Sequence, residues 1–339
     1  MRYRPLGPTG VLVSELCLGT MTFGEGWGLG GIDTATANTL VGRALDAGIN
    51  FVDTADMYSE GQSEVILGQA LRGRRDRVVL ATKAFGRTGK GANDCGLSRY
   101  HLVRACEASL RRLETDRIDL YQIHGFDALT PPEETLHALD HLVASGKVLN
   151  IGLCNHAAWQ IAKALGLSDA KRLVKYVSAQ MYYSLVGRDI EHEVVPLCLS
   201  EGLAILPWSP LAGGFLTGKY RRDQQANPEG SRFATSKFGE FPPVDKEIGY
   251  EVVEKLITMA VERNTTPTTL AIKWLANRPG VTSVIIGVRH LEQLGANLAA
   301  TSLEISQEDL DGLTTMTSPP VLYPQWMIER QSMNRVLPS

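Results

Sequence analysis

Four polar side chains stand at or just beyond the ends of apolar segments, and their types suggest proton-transfer chemistry. Asp53 follows the segment 50–52, Tyr58 comes five residues later, Lys83 ends VVLATK, and His124 ends DLYQIH. A lysine at the end of a buried strand is costly unless it is paired, and Asp53 is the natural partner. The pair would keep Lys83 cationic beside the phenol. We therefore expect a lowered pKa for Tyr58 and a role for it as general acid.

His124 would complete this group by donating a hydrogen bond to a carbonyl oxygen, by polarising it or by relaying a proton. The four residues together suit a reaction in which hydride arrives at a carbonyl carbon and the oxygen must be protonated. Each residue alone has a simpler interpretation, namely a helix N-cap for Asp53, loop packing for Tyr58, a solvated strand end for Lys83 and a core or rim histidine for His124. Those separate interpretations do not predict that all four fall at matching strand ends.

The segments that carry these residues alternate with amphipathic ones along nearly the whole chain. Continuous apolar runs, typical of parallel strands covered on both faces, occupy 16–19, 50–55, 78–83, 118–124, 148–154, 176–180, 203–209 and 282–287. Helices are predicted between them, for example at 34–48, 97–113 and 131–146, with glycine C-caps at Gly48, Gly146 and Gly202. Eight such units favour an α/β fold, the (β/α)8 TIM barrel, whose active sites lie at the C-terminal ends of the strands.

Several segments interrupt this repeat. Residues 1–16 contain two short extended pieces around Gly7-Pro8-Thr9-Gly10, which predicts a hairpin that covers the floor of the barrel. The stretch 210–245 is too long for an ordinary connection and is predicted to be a functional loop. A further helix is predicted after Pro267, and 318–339 is expected to be an irregular tail. Because α/β barrels commonly reach this length as one unit, we predict a single domain over 1–339.

Composition argues against several classes of function. The chain of 339 residues has a net charge of -3, which offers no basic footprint for nucleic acid or an anionic membrane. Its apolar runs are too short to span a bilayer, and its first residues have no apolar signal segment. The five cysteines are scattered without a C-x-x-C pair, which favours reduced thiols and a cytoplasmic location. No P-loop or strand-linked G-x-G-x-x-G is present, and no metal site is predicted.

The ordered motifs of the chain resemble those of the aldo-keto reductase superfamily, in its longer bacterial branch, which includes potassium-channel β-subunits. The resemblance begins at RPLGPTGVLVSELCLGTMTFG and continues through GINFVDTADMYSEGQSE, VVLATK, DRIDLYQIH, GKVLNIGLCNH, PWSPLAGGFLTGKY and IIGVRHLEQLGANL. It implies that Asp53, Tyr58, Lys83 and His124 are the catalytic tetrad, in agreement with the spacing. It also implies NADPH-dependent reduction of an aldehyde or ketone, a small-molecule carbonyl, to an alcohol, with Tyr58 as general acid.

The resemblance further implies an extended NADP(H) across the barrel mouth. Asn155 and Gln180 would bind the carboxamide, and Trp208 would stack on the nicotinamide ring. The pyrophosphate would be lined by Ser209, Leu211, Gly213 and Lys219, under a closing loop that contains Arg232. The adenosine end would meet Gly287, Arg289, Gln293 and Asn297, and Thr20, Met21 and Cys154 complete the cofactor set. Arg289, between the last strand and helix, would bind a 2′-phosphate bidentately and favour NADPH over NADH.

Some features leave alternatives open. Cys154 stands where the family commonly has serine and Ala296 where it often has an acidic residue, and a thiol is a poorer hydrogen-bonding group than a hydroxyl. Taken alone, Trp208 fits a core position and Arg289 a surface arginine. An apolar substrate pocket is predicted from Met21, Phe23, Trp27, Met57, Phe85 and Phe126.

Two other functions compete with the reductase, and the oligomeric state is left open. One is an NADP(H)-sensing binding module of the channel-subunit type, in which the tetrad histidine is typically replaced, so His124 favours an enzyme. The other is a barrel lyase or isomerase that uses Lys83 as a Schiff-base amine.

Overall fold

Eight parallel strands form the centre of the computed structural model, which describes residues 1–25, 31–224, 226–237 and 239–333. The barrel strands are β3 (Leu16–Gly19), β4 (Phe51–Asp53), β5 (Val79–Ala84), β6 (Ile118–Ile123), β7 (Val148–Cys154), β8 (Tyr176–Tyr182), β9 (Ala204–Trp208) and β10 (Val284–Gly287); the hairpin strands before them are β1 (Tyr3–Pro5) and β2 (Leu12–Ser14). The order β10-β3-β4-β5-β6-β7-β8-β9 places each barrel strand beside its neighbours in the chain. The predicted (β/α)8 barrel is thus confirmed.

The barrel is nearly closed by a short seam between β9 and the residues that precede β10. The backbone N–H of Ile205 donates to the carbonyl of Gly280 (3.1 Å), and its carbonyl accepts from the N–H of Thr282 (2.9 Å). These two bonds lie before the first residue of β10, at the end of the barrel opposite the mouth. We refer to this join as the seam.

Helices follow the strands and cover the outside of the barrel. Their bounds are α1 (Thr34–Asp46), α2 (Gln62–Leu71), α3 (Arg99–Arg112), α4 (Pro132–Ala144), α5 (Ala158–Lys171), α6 (Val194–Glu201), α7 (Arg232–Thr235), α8 (Lys246–Glu262), α9 (Pro267–Ala276), α10 (Leu291–Ala299), α11 (Gln307–Met316) and α12 (Gln325–Ser332). Local sequence explains several ends: the Asp33 side chain accepts from the N–H of Thr36, and Thr266 from that of Thr269. Gly48, Gly146 and Gly202 adopt the positive φ expected after a helix.

The hairpin of β1 and β2 closes the floor of the barrel, as predicted. Leu6 and Val13 are fully buried in the inner apolar cluster, together with Phe51 and Leu120 from the barrel strands. The turn approaches the barrel closely at Gly7, where φ is +58° and a Cβ would lie 2.1 Å from the carbonyl oxygen of Val177. Only glycine fits this position, because the left-handed conformation and the contact both exclude a side chain.

The structure differs from the predicted elements in three places. The predicted strand 50–55 ends at Asp53, because the chain turns away there while Thr54 and Asp56 still donate backbone hydrogen bonds to β5. The stretch 210–245 contains a 3-10 turn at Ala212–Thr217 and helix α7. The irregular tail predicted for 318–339 is wrong over Gln325–Ser332, where α12 begins directly after Pro324, a residue tolerated at a helix start.

Two further observations bear on earlier expectations. The predicted pocket residue Trp27 lies outside the described residues. Among the helices that are described, none combines the length and the apolar character that a bilayer crossing needs.

Candidate active site

Lys83 lies at the centre of the predicted tetrad and is completely buried. Its ammonium donates three hydrogen bonds, to Asp53 Oδ1 (2.5 Å), to the carbonyl of Thr54 (2.7 Å) and to the Tyr58 hydroxyl (3.1 Å). All three donors of the group are therefore used. Burial alone would lower the pKa of Lys83, but Asp53 and then Tyr58 outweigh it and raise the pKa above its usual value. The side chain is a permanent cation at neutral pH.

Asp53 is held by donors on both carboxylate oxygens. Oδ2 accepts from the side-chain amides of Gln122 and Gln180, each at 3.0 Å, while Oδ1 faces Lys83. Gln122 was not predicted as a site residue. The sequence could have identified it, because Gln122 lies in β6 two residues before His124. Side chains at this spacing share the face of a strand, here the face that points into the barrel.

The structure corrects one prediction about Tyr58. We expected Lys83 to lower the pKa of the phenol below its usual value; instead the pKa is raised, because burial of the hydroxyl outweighs the attraction of Lys83 for the phenolate. Tyr58 is thus fully protonated at neutral pH. A proton donor needs this state, and Lys83 at 3.1 Å is placed to stabilise the anion that remains after transfer.

A strained turn presents Tyr58 to the barrel mouth. Directly after Tyr58, the residues Ser59, Glu60 and Gly61 have φ of +47°, +56° and +90°. Left-handed conformations cost on the order of 1–3 kcal/mol for each non-glycine residue and are frequent at functional sites. Residues 55–61, which we call the Tyr58 turn, therefore depend on their surroundings for their shape.

His124 faces Tyr58 edge-on, with ring centroids 5.7 Å apart and planes at 70°. Burial, and then the charge of Lys83, lower the pKa of His124 to about 3. The imidazole is therefore neutral at physiological pH. Its Nδ1 is buried and has no hydrogen-bond partner within the described ranges. Such a ring can offer a hydrogen bond to an incoming oxygen, but it holds no proton to give up as an imidazolium acid.

The residues predicted to hold a nicotinamide meet beside this group. The indole N–H of Trp208 donates to Asn155 Oδ1 (3.0 Å), and Asn155 Nδ2 donates to the carbonyl of His124 (3.2 Å). Because the Gln180 amide nitrogen is used on Asp53, its oxygen is the atom left to accept from a ligand. The structure thus brings Asn155, Gln180 and Trp208 together with the tetrad.

Two aromatic neighbours of Trp208 were not predicted. Phe241, from the long loop, stacks on the Trp208 ring at a centroid distance of 5.8 Å and 17° between planes, and Tyr182 tilts against it at 5.2 Å. Contacts of this kind fix the plane of a ring. No signal in one sequence connects a loop phenylalanine with a tryptophan thirty-three residues earlier.

Two residues of the predicted cofactor set, Thr20 and Cys154, are fully buried. The Thr20 hydroxyl contacts the carbonyl of Asp53 (3.2 Å) and the Ser63 hydroxyl (2.9 Å), so it supports the end of β4. Burial raises the pKa of the Cys154 thiol well above its usual value, which keeps the group uncharged. Their contacts to a cofactor stay predictions.

The chain that leaves β9 forms a loop of left-handed residues. Ser209, Ala212, Gly213 and Gly214 have φ between +48° and +93°, and Ser209 Oγ accepts from the N–H of Gly213 (3.0 Å). A Cβ at Gly213 would lie 2.5 Å from the Phe233 ring. Five of the eight non-glycine residues with positive φ in the described chain lie in this loop, in the Tyr58 turn or at Asn155. Strain is therefore concentrated around the predicted site.

Three cations influence one another electrostatically beside this loop. Burial lowers the pKa of Lys219, and the charges of Arg289 and Arg232 lower it further. The pKa of Arg232 is lowered mainly by burial, with Arg289 acting in the same direction, and its Nε is buried without a hydrogen-bond partner in the part of the chain that is described. A cluster of mutually repelling cations with an unsatisfied donor fits a ligand that carries phosphate groups.

The predicted adenosine residues follow β10. The N–H of Arg289 donates to Gln293 Oε1 (2.8 Å), so Gln293 also shapes the turn that carries Arg289. Asn297 is buried in α10, whereas Gly287 is exposed at the strand end. Met21 and Leu211 are half-buried. The contacts of all these residues with a cofactor stay predictions.

Comparisons with known proteins identify a family and several relatives of the chain. The sequence model of the Aldo/keto reductase family matches residues 15–317. The uncharacterized oxidoreductase YrpG of Bacillus subtilis is 39% identical over 321 residues, which cover 91% of this chain and 94% of the relative. A probable voltage-gated potassium channel subunit beta of Arabidopsis thaliana is 37% identical over 89% of this chain and 92% of its own length. Norsolorinic acid reductase stcV of Emericella nidulans is 36% identical over 91% of this chain and 79% of its own length.

Proposed function

Because the chain belongs to the aldo/keto reductase family, we propose that it is an NADPH-dependent reductase of aldehydes or ketones with Tyr58 as the proton donor. The family and the relatives named as oxidoreductases support a carbonyl-reducing oxidoreductase. One observation carries the finer proposal: a protonated tyrosine lies 3.1 Å from a buried ammonium and beside a neutral histidine. These groups match the needs of a carbonyl oxygen that gains charge and then a proton.

A reduced nicotinamide would supply the hydride to the carbonyl carbon. The chain's own residues act on the oxygen. Tyr58 donates its proton there, and Lys83 stabilises the phenolate that is left through the bond already present. His124, being neutral, donates a hydrogen bond that orients the carbonyl. Asp53 holds Lys83 in place and balances its charge. In the reverse direction Tyr58, as phenolate, accepts the proton of an alcohol.

The residues present fit NADP(H) in two ways. Asn155, Gln180 and Trp208 place amide groups and a ring at the tetrad, where the nicotinamide must be held. The cluster of Lys219, Arg232 and Arg289 offers three positive charges to phosphate groups. A cofactor with an additional 2′-phosphate would gain more from this cluster than one without it.

Replacement of Arg289 by alanine tests the choice of cofactor. We expect the KM for NADPH to rise by about 10–100-fold, because one charge-assisted hydrogen-bonding group is lost. The KM for NADH should change by less than about threefold. Steady-state kinetics with both cofactors measure this. Arg222→Ala is the control, because it removes an arginine charge from the long loop 210–245 at a surface position where Arg222 pairs with Glu247. Equal effects of Arg289→Ala on both cofactors would show that Arg289 does not read the 2′-phosphate.

An NADP(H)-sensing binding module is the second candidate, favoured by the channel subunits among the relatives. A panel of aliphatic and aromatic aldehydes and ketones, assayed by loss of reduced-nicotinamide absorbance with NADPH and with NADH, decides between the two. Turnover of any panel member at a rate typical of enzymes supports the reductase. Tight binding of NADPH, measured by fluorescence, without turnover of any carbonyl supports the binding module instead.

The Schiff-base alternative meets a physical obstacle. A lysine must lose its proton before it attacks a carbonyl, yet Lys83 is fully buried and its pKa is raised. Borohydride treatment in the presence of substrate would trap an adduct on Lys83 if this mechanism operated, and we expect none.

A further inference from the structure

Asp56 is a buried carboxyl group for which the reaction proposed above has no use. It lies two residues before Tyr58, and only 2% of its surface is exposed. Both carboxyl oxygens are buried, and neither makes a hydrogen bond of standard geometry among the residues described, although the Met57 backbone N–H still acts to lower the pKa of the carboxyl. An ionised carboxylate in such a place would be strongly unfavourable. The arrangement therefore calls for an explanation beyond packing.

The surroundings of Asp56 contain a second carboxyl group but a single arginine. Glu64, at the start of α2, is completely buried; its Oε1 accepts from the Thr82 hydroxyl (2.5 Å) and its Oε2 from Arg112 Nε (2.6 Å). Arg112 is thus already paired with Glu64. One arginine can balance one carboxylate, so the cluster is neutral only when Asp56 carries its proton.

Charged and titratable groups face Asp56 from each element packed around it. Glu64 faces it from α2, Arg112 from α3, Lys83 from β5 and Tyr121 from β6. Burial raises the pKa of Asp56 most, and Glu64 raises it further. Arg112, the Met57 amide and Lys83 lower the pKa, but by less than burial and Glu64 raise it. The pKa of Asp56 is raised to about 8.

Asp56 also lies at the base of the Tyr58 turn. Its backbone N–H donates to the carbonyl of Lys83 (3.1 Å), and the N–H of Tyr58 donates to the carbonyl of Ala55 (3.2 Å). At the other end of the turn, a Cβ on Gly61 would lie 3.0 Å from Arg112 Cδ. Arg112, which pairs with Glu64, thus packs against the last left-handed residue of the turn, and Asp56 fixes its start through a backbone hydrogen bond.

We propose that Asp56 is a positioning residue: as an uncharged carboxylic acid it closes the base of the Tyr58 turn, and its ionisation loosens that turn and withdraws Tyr58. The inference rests on the proposed role of Tyr58. Asp56 touches neither substrate nor the reacting atoms in this scheme and acts only through the backbone that carries the tyrosine. Its effect should appear in kcat rather than in the KM for the cofactor, because the cofactor residues lie on other strands.

The proposal predicts that kcat falls at alkaline pH because Asp56 ionises, and not because Tyr58 does. We call this fall the alkaline limb of the pH profile. In the wild type, kcat for carbonyl reduction should fall by about tenfold for each pH unit above a midpoint near 8, provided that only the protonated form is active. The Tyr58 hydroxyl titrates later, since its own pKa is raised above the usual value. Asp56→Asn keeps the shape of the neutral acid and cannot ionise. Its kcat should match the wild type near neutral pH and stay level through the range where the wild type declines.

Thermal stability gives a readout that does not depend on activity. The pKa of Asp56 is higher in the folded chain than in the unfolded chain, so the folded state holds the extra proton between the two values and loses stability as pH rises through that interval. The difference in Tm, Asp56→Asn minus wild type, should therefore grow with pH up to about 8 and then remain constant.

The test measures kcat, the KM for NADPH and Tm against pH for full-length wild type, Asp56→Asn and Asp56→Ala. Asp119→Asn is the matched control, because Asp119 is also buried in the barrel wall but is paired with Arg75. An alkaline limb that persists unchanged in Asp56→Asn overturns the proposal, as does a Tm difference independent of pH. If the wild type reduces no carbonyl, the proposed function has failed, and the Tm series still decides whether Asp56 is held as a neutral acid.

Discussion

Replacement of Tyr58 by phenylalanine is expected to lower kcat for carbonyl reduction by about 10²–10⁴-fold, the usual contribution of a positioned general acid. The change removes one hydroxyl and keeps the ring, so the packing against His124 and the charge of Lys83 persist. The affinity for NADPH should change by less than about threefold, because no proton transfer is involved in binding. Stopped-flow reduction and fluorescence titration of the cofactor measure the two quantities separately.

Tyr176→Phe is the control for Tyr58→Phe. Tyr176 is a buried tyrosine at the first residue of β8, and burial is the only cause that raises its pKa. Its replacement removes a buried hydroxyl at the far end of the barrel. We expect wild-type kcat in this variant. A Tyr58→Phe enzyme with near wild-type turnover would mean that another group donates the proton.

Among the substitutions proposed here, Asp53→Ala should lower the free energy of unfolding most. Lys83 is fully buried and Asp53 nearly so, so removal of the carboxylate leaves a buried ammonium without its counter-charge. Breaking a buried pair in this way costs about 3–5 kcal/mol of the free energy of unfolding. Lys83 would then release its proton more readily, and turnover would be lost together with the stability. Urea unfolding followed by tryptophan fluorescence and by circular dichroism measures the loss.

A double variant separates charge from packing in this prediction. Asp53→Ala with Lys83→Met removes the uncompensated charge, so the free energy of unfolding should recover by about 1–3 kcal/mol relative to Asp53→Ala alone. Activity should not recover, because Tyr58 has lost the cation that stabilises its anion. If the double variant is less stable than Asp53→Ala, the destabilisation does not come from an unpaired lysine.

The main features of the fold and of the tetrad follow from patterns that are local in the chain. Continuous apolar runs mark strands covered on both faces, and a polar residue at the end of such a run must lie at the mouth of a parallel barrel. The pairing of Lys83 with Asp53 could therefore be predicted from the sequence alone, and in the structure Lys83 Nζ lies 2.5 Å from Asp53 Oδ1. Strand ends were less exact, since the chain keeps donating hydrogen bonds to β5 after it has left β4 at Asp53.

Other features depend on the balance of effects that only packing decides. Whether Lys83 or burial has the larger effect on the pKa of Tyr58 depends on how deeply the hydroxyl is buried. The expectation from the sequence, that the effect of Lys83 would be larger, was wrong. Phe241 reaches the site from a long loop, where residue type alone says little about direction, whereas the spacing of Gln122 from His124 could have identified Gln122. Asp56 carries no motif of its own that distinguishes it from a turn residue; its importance appears only when Glu64 and Arg112 are seen beside it.

The seam gives the barrel an uneven resistance to opening. Ile205 supplies both backbone bonds across it in the described chain, below the first residue of β10, while Trp208 and Gly287 end the two strands nearer the mouth. The amides of β9 and β10 toward the mouth should therefore exchange with solvent before those of β5 or β6, which are paired on both sides. The predicted cofactor residues flank this gap on both sides, so saturation with NADPH should slow that exchange. The supply of reduced cofactor would then govern how often this side of the barrel opens as well as the rate of turnover.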